Sequence, residues 1–145
     1  MILEAGNVFA AAIISALLAF GVNTATMRII RKYHVRMAGA VEVLSVLEEV
    51  VKTGAAILFG ATIVWTHAVF GMIEGLFDIA GARARGSAGQ SGCLAAVSGT
   101  IGHFTFGLIT AVVFSATSDL ILSVAVSAAV HVIWNVLVAK ILRIT

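Results

Sequence analysis

The sequence predicts an all-α, polytopic integral membrane protein of about five transmembrane helices, and three observations predict it. Of the 145 residues, 61% are hydrophobic and only 11% are Asp, Glu, Lys or Arg, where a soluble domain carries roughly 25% charged residues. Mean hydropathy is +1.11. The apolar residues fall in long unbroken runs, where a transmembrane barrel would need strict alternation. At about 20 residues per crossing, the chain holds five spans with short connections as a single transmembrane domain over residues 1–145, and leaves no room for a soluble domain.

The first span is predicted over about 6–27. Its start, MILEAGNVFAAA, carries Glu4 and no Lys or Arg before the apolar run, unlike a signal peptide, so it reads as a retained helix. A basic loop follows over 28–36, with Arg28, Arg31, Lys32, His34 and Arg36. The apolar stretch 37–80 is too long for one crossing and divides into spans of about 37–59 and 62–80. The break is expected near Gly60–Thr66, where Trp65 and His67 suit a membrane–water boundary. Residues 81–92, GARARGSAGQSG, read as a flexible loop. A fourth span covers about 93–117, Thr117-Ser118-Asp119 forms a turn, and a fifth span covers about 120–142. Gly71 and Gly75 form a small-xxx-small pair that admits a neighbouring helix closely.

Charge distribution gives the orientation. With the N-terminus outside and the C-terminus cytoplasmic, eight of the nine Lys and Arg residues fall on the cytoplasmic side, Lys52 excepted, while Glu4 and Asp119 fall outside. The expected location is the cell membrane, as a multi-pass protein in contact with the lipid bilayer. The net charge of +2 gives no reason to expect nucleic acid. The lone Cys93 excludes a disulfide framework and a thiolate zinc cluster, and reads as a packing residue.

The chemistry lies in the ionisable residues left at membrane depth, where a charge costs roughly 2.5–3.5 kcal/mol on insertion scales. Counting about 1.5 Å per residue from the cytoplasmic ends, Glu48 and Glu49 lie about 16–18 Å in, Glu74 about 9 Å, His103 about 15–18 Å and His131 about 14 Å. Four helices thus bring polar groups to nearly one level of a core about 30 Å thick. Glu48 and Lys52 are four residues apart and are expected to pair. His131 and Asn135 share a helix face, and Gly107 leaves room beside His103. Glu42 and Asp78 lie near the cytoplasmic boundary, where charge is cheap.

Several hydrolase signatures are absent. There is no H-E-x-x-H, the zinc ligand pair of one protease class, and no Gly-x-Gly-Asp for an aspartyl dyad. Ala96-Val97-Ser98-Gly99 misses the rhomboid serine motif by one residue, leaving Ser98 with His131 as a remote serine–histidine pair. Glu with His remains: a carboxylate activates water, while imidazoles and an amide hold an oxyanion.

In order along the chain, Glu48-Glu49-Val-Val-Lys52 matches E-E-x-x-K, Phe70-Gly-Met-Ile-Glu74 matches F-x-x-x-E, His103-Phe-Thr-Phe106-Gly107 matches H-x-x-F-G, and His131-Val-Ile-Trp-Asn135 matches H-x-x-x-N/D. Over residues 45–138 this set resembles the PrsW family of membrane proteases, which is related to the CAAX prenyl proteases and bacteriocin-processing enzymes. Gly75 stands where that family has Asn, and the segment between the first two motifs is compressed. The resemblance implies a glutamic-type intramembrane endopeptidase acting on a membrane-anchored protein without a cofactor. Glu48 or Glu49 would be the general base, with Glu48 the first choice because Lys52 can tune it. His103, His131 and Asn135 would orient water or hold the oxyanion, and Glu74 would be an accessory acid. Two other readings use the same residues: a zinc-dependent membrane protease, and a proton- or ion-coupled transporter without enzymatic activity.

Overall fold

A computed structural model of the protein describes residues 2–33, 39–84 and 90–142. They form α1 (Ile2–Tyr33), α2 (Ala40–Leu58), α3 (Ile63–Ala84), α4 (Gln90–Thr117) and α5 (Leu120–Leu142), with no strand among the described residues. The all-helical expectation holds. His34, Arg36, Arg85 and Arg143, read as loop or terminal residues, lie outside the described residues.

Among the described residues, four helices are long and apolar enough to cross a membrane: α1 over Glu4–Tyr33, α3, α4 over Gly92–Thr117, and α5 over Leu120–Val138. In α2, Glu42, Glu48, Glu49 and Lys52 interrupt the apolar pattern. Its exposed large residues nevertheless include Val43, Val46, Leu47, Val50, Ile57 and Leu58, an apolar stripe at helical spacing. The interior is the reverse. Of the largest fully buried side chains described, only Phe70 and Phe106 are apolar; Lys52, His67, Glu49 and a set of Thr and Ser make up the rest. An apolar outside around a polar inside is the arrangement a lipid surround favours.

Two helix ends differ from the sequence reading. α1 does not stop at residue 27 but continues to Tyr33. Arg28, Arg31 and Lys32 therefore sit on the last turns of a helix, where cations complement the orphan carbonyls. The expected loop 81–92 is likewise shortened: Arg83 belongs to the last turn of α3, and α4 begins at Gln90. Ala and the straight-chain Arg side chain favour helix continuation where no proline stops it.

The α2–α3 connection turns at Gly60, whose φ of +60° lies in the left-handed region. The Phe59 and Ala61 N–H groups return to the carbonyls of Ala55 and Ala56 at 3.0 and 2.7 Å, closing the helix end. The break thus falls at 59–62, earlier than Gly60–Thr66, and Thr66 and His67 are inside α3. The α4–α5 turn is where the sequence put it. Ser118 takes φ +55°, and Asp119 Oδ1 accepts the Leu122 N–H at 3.0 Å, capping α5.

α3 and α4 make the most extensive contact, and glycine explains it. A Cβ on Gly71 would lie 2.8 Å from His103 Cβ, and one on Gly75 3.1 Å from Ala96 Cβ. α1 packs through Ala11, Ala12, Ser15, Ala16 and Ala19, all buried, another small-residue face. The Thr62 hydroxyl donates to Glu4 Oε1 at 3.0 Å, so the starts of α1 and α3 share one end of the bundle. At the opposite end α1, α3 and α5 finish, which leaves Arg28, Arg31, Lys32, Arg83 and Lys140 on that side of the bundle.

Candidate functional site

Each ionisable residue expected at membrane depth, together with Asn135, reaches one region between α2, α3, α4 and α5. The register of α2 against α5 does the first part of the assembly: Asn135 donates to Ser45 Oγ at 3.0 Å, and His131 Nδ1 lies 2.9 Å from Glu49 Oε1. On each helix one turn separates the two residues, Ser45 from Glu49 and His131 from Asn135.

Glu49 is the hub and is sealed from the surface. Lys52 Nζ donates to its Oε1 at 2.5 Å. His131 Nδ1–H donates to the same oxygen, and the Ser127 hydroxyl lies 2.9 Å from Oε2. Ser127 is also 3.0 Å from the Phe106 carbonyl, and its single proton serves one acceptor at a time. The pairing of Lys52 is therefore with Glu49, three residues back, and not with Glu48 as its spacing of four implied. Both separations bring side chains together on a helix; the partners on α4 and α5 decide between them.

Lys52 also fixes a tautomer. An ammonium has only protons to give, so His103 Nδ1, 2.8 Å from Nζ, accepts. The ring proton is then on Nε2, which donates to Glu74 Oε2 at 2.5 Å. The third side of the ammonium faces the Phe70 ring, 4.8 Å from its centroid, a cation–π contact. His131 is fixed in the opposite sense. Its Nδ1–H is spent on Glu49, so the Nε2 lone pair is free and points toward Glu48 Oε2, 3.9 Å away.

Glu48, His131 and His103 line a cavity of about 170 Å³, together with Glu74, Asp78, Ser98, Phe106, Trp134, Asn135 and Val138. The two neighbouring glutamates thus have different stations. Glu49 is behind the wall with its oxygens engaged, while Glu48 faces the cavity and makes no hydrogen bond to the described residues. Ser98 shares the cavity but makes no hydrogen bond to His131, and Glu74 forms a hydrogen bond between α3 and α4 with His103.

The sequence reading misses His67, which it puts at the membrane boundary. The residue is wholly buried. Its Nε2 lies 3.2 Å from Thr53 Oγ1 and its Nδ1 3.5 Å from Glu49 Oε2, with no hydrogen-bond partner for Nδ1. Trp65 beside it is 58% exposed; two residues apart on a helix means opposite faces. The room that Gly107 leaves is for His67 and not for His103, since a Cβ there would lie 2.7 Å from His67 Cβ. We expect Gly107→Ala to destabilise the protein by about 1–3 kcal/mol through overpacking. Gly54→Ala, where a Cβ meets nothing within 4 Å, should be neutral or slightly stabilising. Thermal unfolding in detergent reads both; equal stability of the two variants would contradict the close α3–α4 approach.

Comparisons of the chain with protein-family models, curated proteins and solved structures give no match.

Proposed function

We propose that the protein is a glutamic-type intramembrane endopeptidase, similar to the PrsW family, with five spans and its basic bundle end in the cytoplasm. The single observation that carries the reading is the facing pair in the cavity, Glu48 Oε2 and His131 Nε2, 3.9 Å apart. That gap is too long for a direct hydrogen bond. One water with legs of about 2.8 Å spans it at nearly a right angle. Both partners are acceptors, so the water gives one proton to each and turns a lone pair outward.

The reaction follows from that placement. Glu48 takes a proton from the water as its oxygen bonds to the scissile carbonyl carbon. The oxyanion that forms meets the second amide proton of Asn135, whose first is held by Ser45. Glu48 then returns the proton to the leaving nitrogen as the C–N bond breaks, giving an acid and an amine. Glu49 holds His131 in the tautomer that keeps Nε2 an acceptor, in the manner of a carboxylate orienting an imidazole. Lys52 does the same for His103, which in turn holds Glu74. The test is cleavage of a single-span reporter by the protein reconstituted in vesicles, wild type against Glu48→Gln.

A zinc reading draws on one observation: ligand atoms of Glu48, His103 and His131 lie within 4.8 Å of one another. Tetrahedral zinc with bonds of about 2.0–2.1 Å requires ligand atoms roughly 3.3 Å apart, and both nitrogens of His103 are already bonded. Activity is therefore expected to survive a chelator; loss with the chelator and recovery with zinc would transfer the same residues to a metal.

Five crossings include α2, whose apolar stripe faces outward while Glu49 and Lys52 are wholly buried. In a Cys93→Ser background, single cysteines at Arg31 and Lys140 should be labelled from the cytoplasmic side and one at Asp119 from the other. Opposite accessibility of the first two would overturn the topology.

A further inference from the structure

His67 on α3 is a buried ionisable side chain that the reaction above does not use. It is wholly enclosed and does not line the cavity. Gly107 of α4 makes its room, since a Cβ there would lie 2.7 Å from His67 Cβ. Its Nδ1 has no hydrogen-bond partner among the described residues. A buried polar atom without a partner is rare and costly, and an apolar side chain would fill the same space without that cost. What Nδ1 faces is Glu49 Oε2, 3.5 Å away, on the carboxylate that holds His131.

Two neighbours place the ring proton. Lys52 already supplies the counter-charge of Glu49, so a neutral ring with a single proton suffices. On the other side Nε2 lies 3.2 Å from Thr53 Oγ1. The hydroxyls of Thr66, Thr100 and Thr110 donate to the carbonyl four residues back. Thr53 makes no other hydrogen bond to the described residues, so its one proton has Nε2 as its acceptor. The ring proton is then on Nδ1, toward Glu49. The opposite tautomer would leave the buried Thr53 proton without an acceptor and turn the Nδ1 lone pair on a carboxylate oxygen. At 3.5 Å the Nδ1–H stands roughly half an ångström beyond an ordinary N–H···O bond. Oε2 has the Ser127 hydroxyl at 2.9 Å, but that hydroxyl is almost as near the Phe106 carbonyl, at 3.0 Å. When Ser127 turns its proton to Phe106, Oε2 is left facing His67.

Resting on the endopeptidase reading, we propose that His67 is a positioning residue of the same site: its Nδ1–H is the second donor to Glu49 Oε2, and it holds the carboxylate in the plane in which Oε1 keeps His131 Nδ1–H. Each oxygen of Glu49 then has two partners, Lys52 and His131 on Oε1, Ser127 and His67 on Oε2. His67 acts on the reaction through Glu49 and His131 and touches no substrate.

Ring-nitrogen NMR of the solubilised protein with isotope-labelled histidine reads the placement without any cleavage. His67 should carry its proton on Nδ1; a proton on Nε2 overturns the proposal. Two substitutions separate position from bulk, because Asn puts an amide N–H where Nδ1 stands and Gln puts one where Nε2 stands. In His67→Gln the His131 Nδ1–H proton, held downfield by its carboxylate partner, should move upfield. The kcat for reporter cleavage should fall roughly tenfold, the worth of one hydrogen bond to a charged group, with KM unchanged because the residue does not line the cavity. His67→Asn should keep the His131 resonance and most of kcat. Equal kcat in the two variants, with cleavage still lost in Glu48→Gln, would overturn the role of His67 and leave the endopeptidase standing. A proton on His67 Nδ1 and the His131 shift in His67→Gln, with no reporter cleaved by the wild type, would support the positioning and overturn the endopeptidase. Should both variants fail to fold, the tautomer read on the wild type decides.

Discussion

Glu48→Gln is expected to lower the cleavage rate by about 10²–10⁴-fold, the usual worth of a general base, while leaving the fold intact. Glutamine keeps the shape of the side chain but cannot take the proton from water. The fold should survive because Glu48 contributes no hydrogen bond to the described residues and its nearest partner, His131 Nε2, is 3.9 Å away. The adjacent Glu49→Gln should behave differently. It removes the carboxylate that accepts from Lys52 and His131, so its first effect is on stability, and the cleavage that the folded molecules retain is slower because His131 is no longer held in one tautomer. Single-turnover cleavage and thermal unfolding, measured on both variants in the same vesicles, separate the two roles. Wild-type cleavage by Glu48→Gln would remove Glu48 as the base.

The helices are legible in the sequence because lipid demands long apolar runs, and their order follows from chain length. Which face of α2 meets the site is not. Glu48 and Glu49 differ by about 100° around the axis, and nothing local says which turns to the cavity. The register against α5 decides it, through Ser45 with Asn135 and Glu49 with His131. The partner of Lys52 is ambiguous for the same reason, since three and four residues are equivalent along an isolated helix. His67 is hidden by its neighbour: Trp65 is a true outward-facing residue, but proximity to it in sequence is not proximity to the boundary. A signal exists in Gly107. A glycine inside an apolar helix marks a close approach, but the sequence cannot say that the approaching group comes from α3. The helices overrun their expected ends because Arg and Lys at a helix C-terminus look in sequence like a basic loop.

Lys52→Met is the substitution expected to cost most stability, about 3–5 kcal/mol, the usual consequence of removing one partner of a buried ion pair. Methionine fills similar space but gives no proton. Glu49 is then left wholly buried with its charge uncompensated, and His103 Nδ1 loses the donor that fixes its tautomer. The His103–Glu74 bond, which ties α4 to α3, is freed to change its sense. Lys52→Arg should not restore the loss, because the larger planar fork has no room in a fully buried position bounded by Glu49, His103 and the Phe70 ring. The double variant Glu49→Gln/Lys52→Met should recover much of the stability, since removing both charges also removes their desolvation, and the double-mutant cycle should return a coupling larger than that of an exposed pair. The same double variant should remain slow in cleavage, because an amide in place of the Glu49 carboxylate no longer holds His131 with its Nε2 lone pair toward Glu48. Stability and activity thus part company at one pair of residues: the charges on Glu49 and Lys52 are a burden to folding that the chain carries to set two histidine tautomers. If Lys52→Met unfolds at the wild-type temperature, the ammonium is not the cation that neutralises Glu49, and the tautomers assigned to His103 and His131 fall with it.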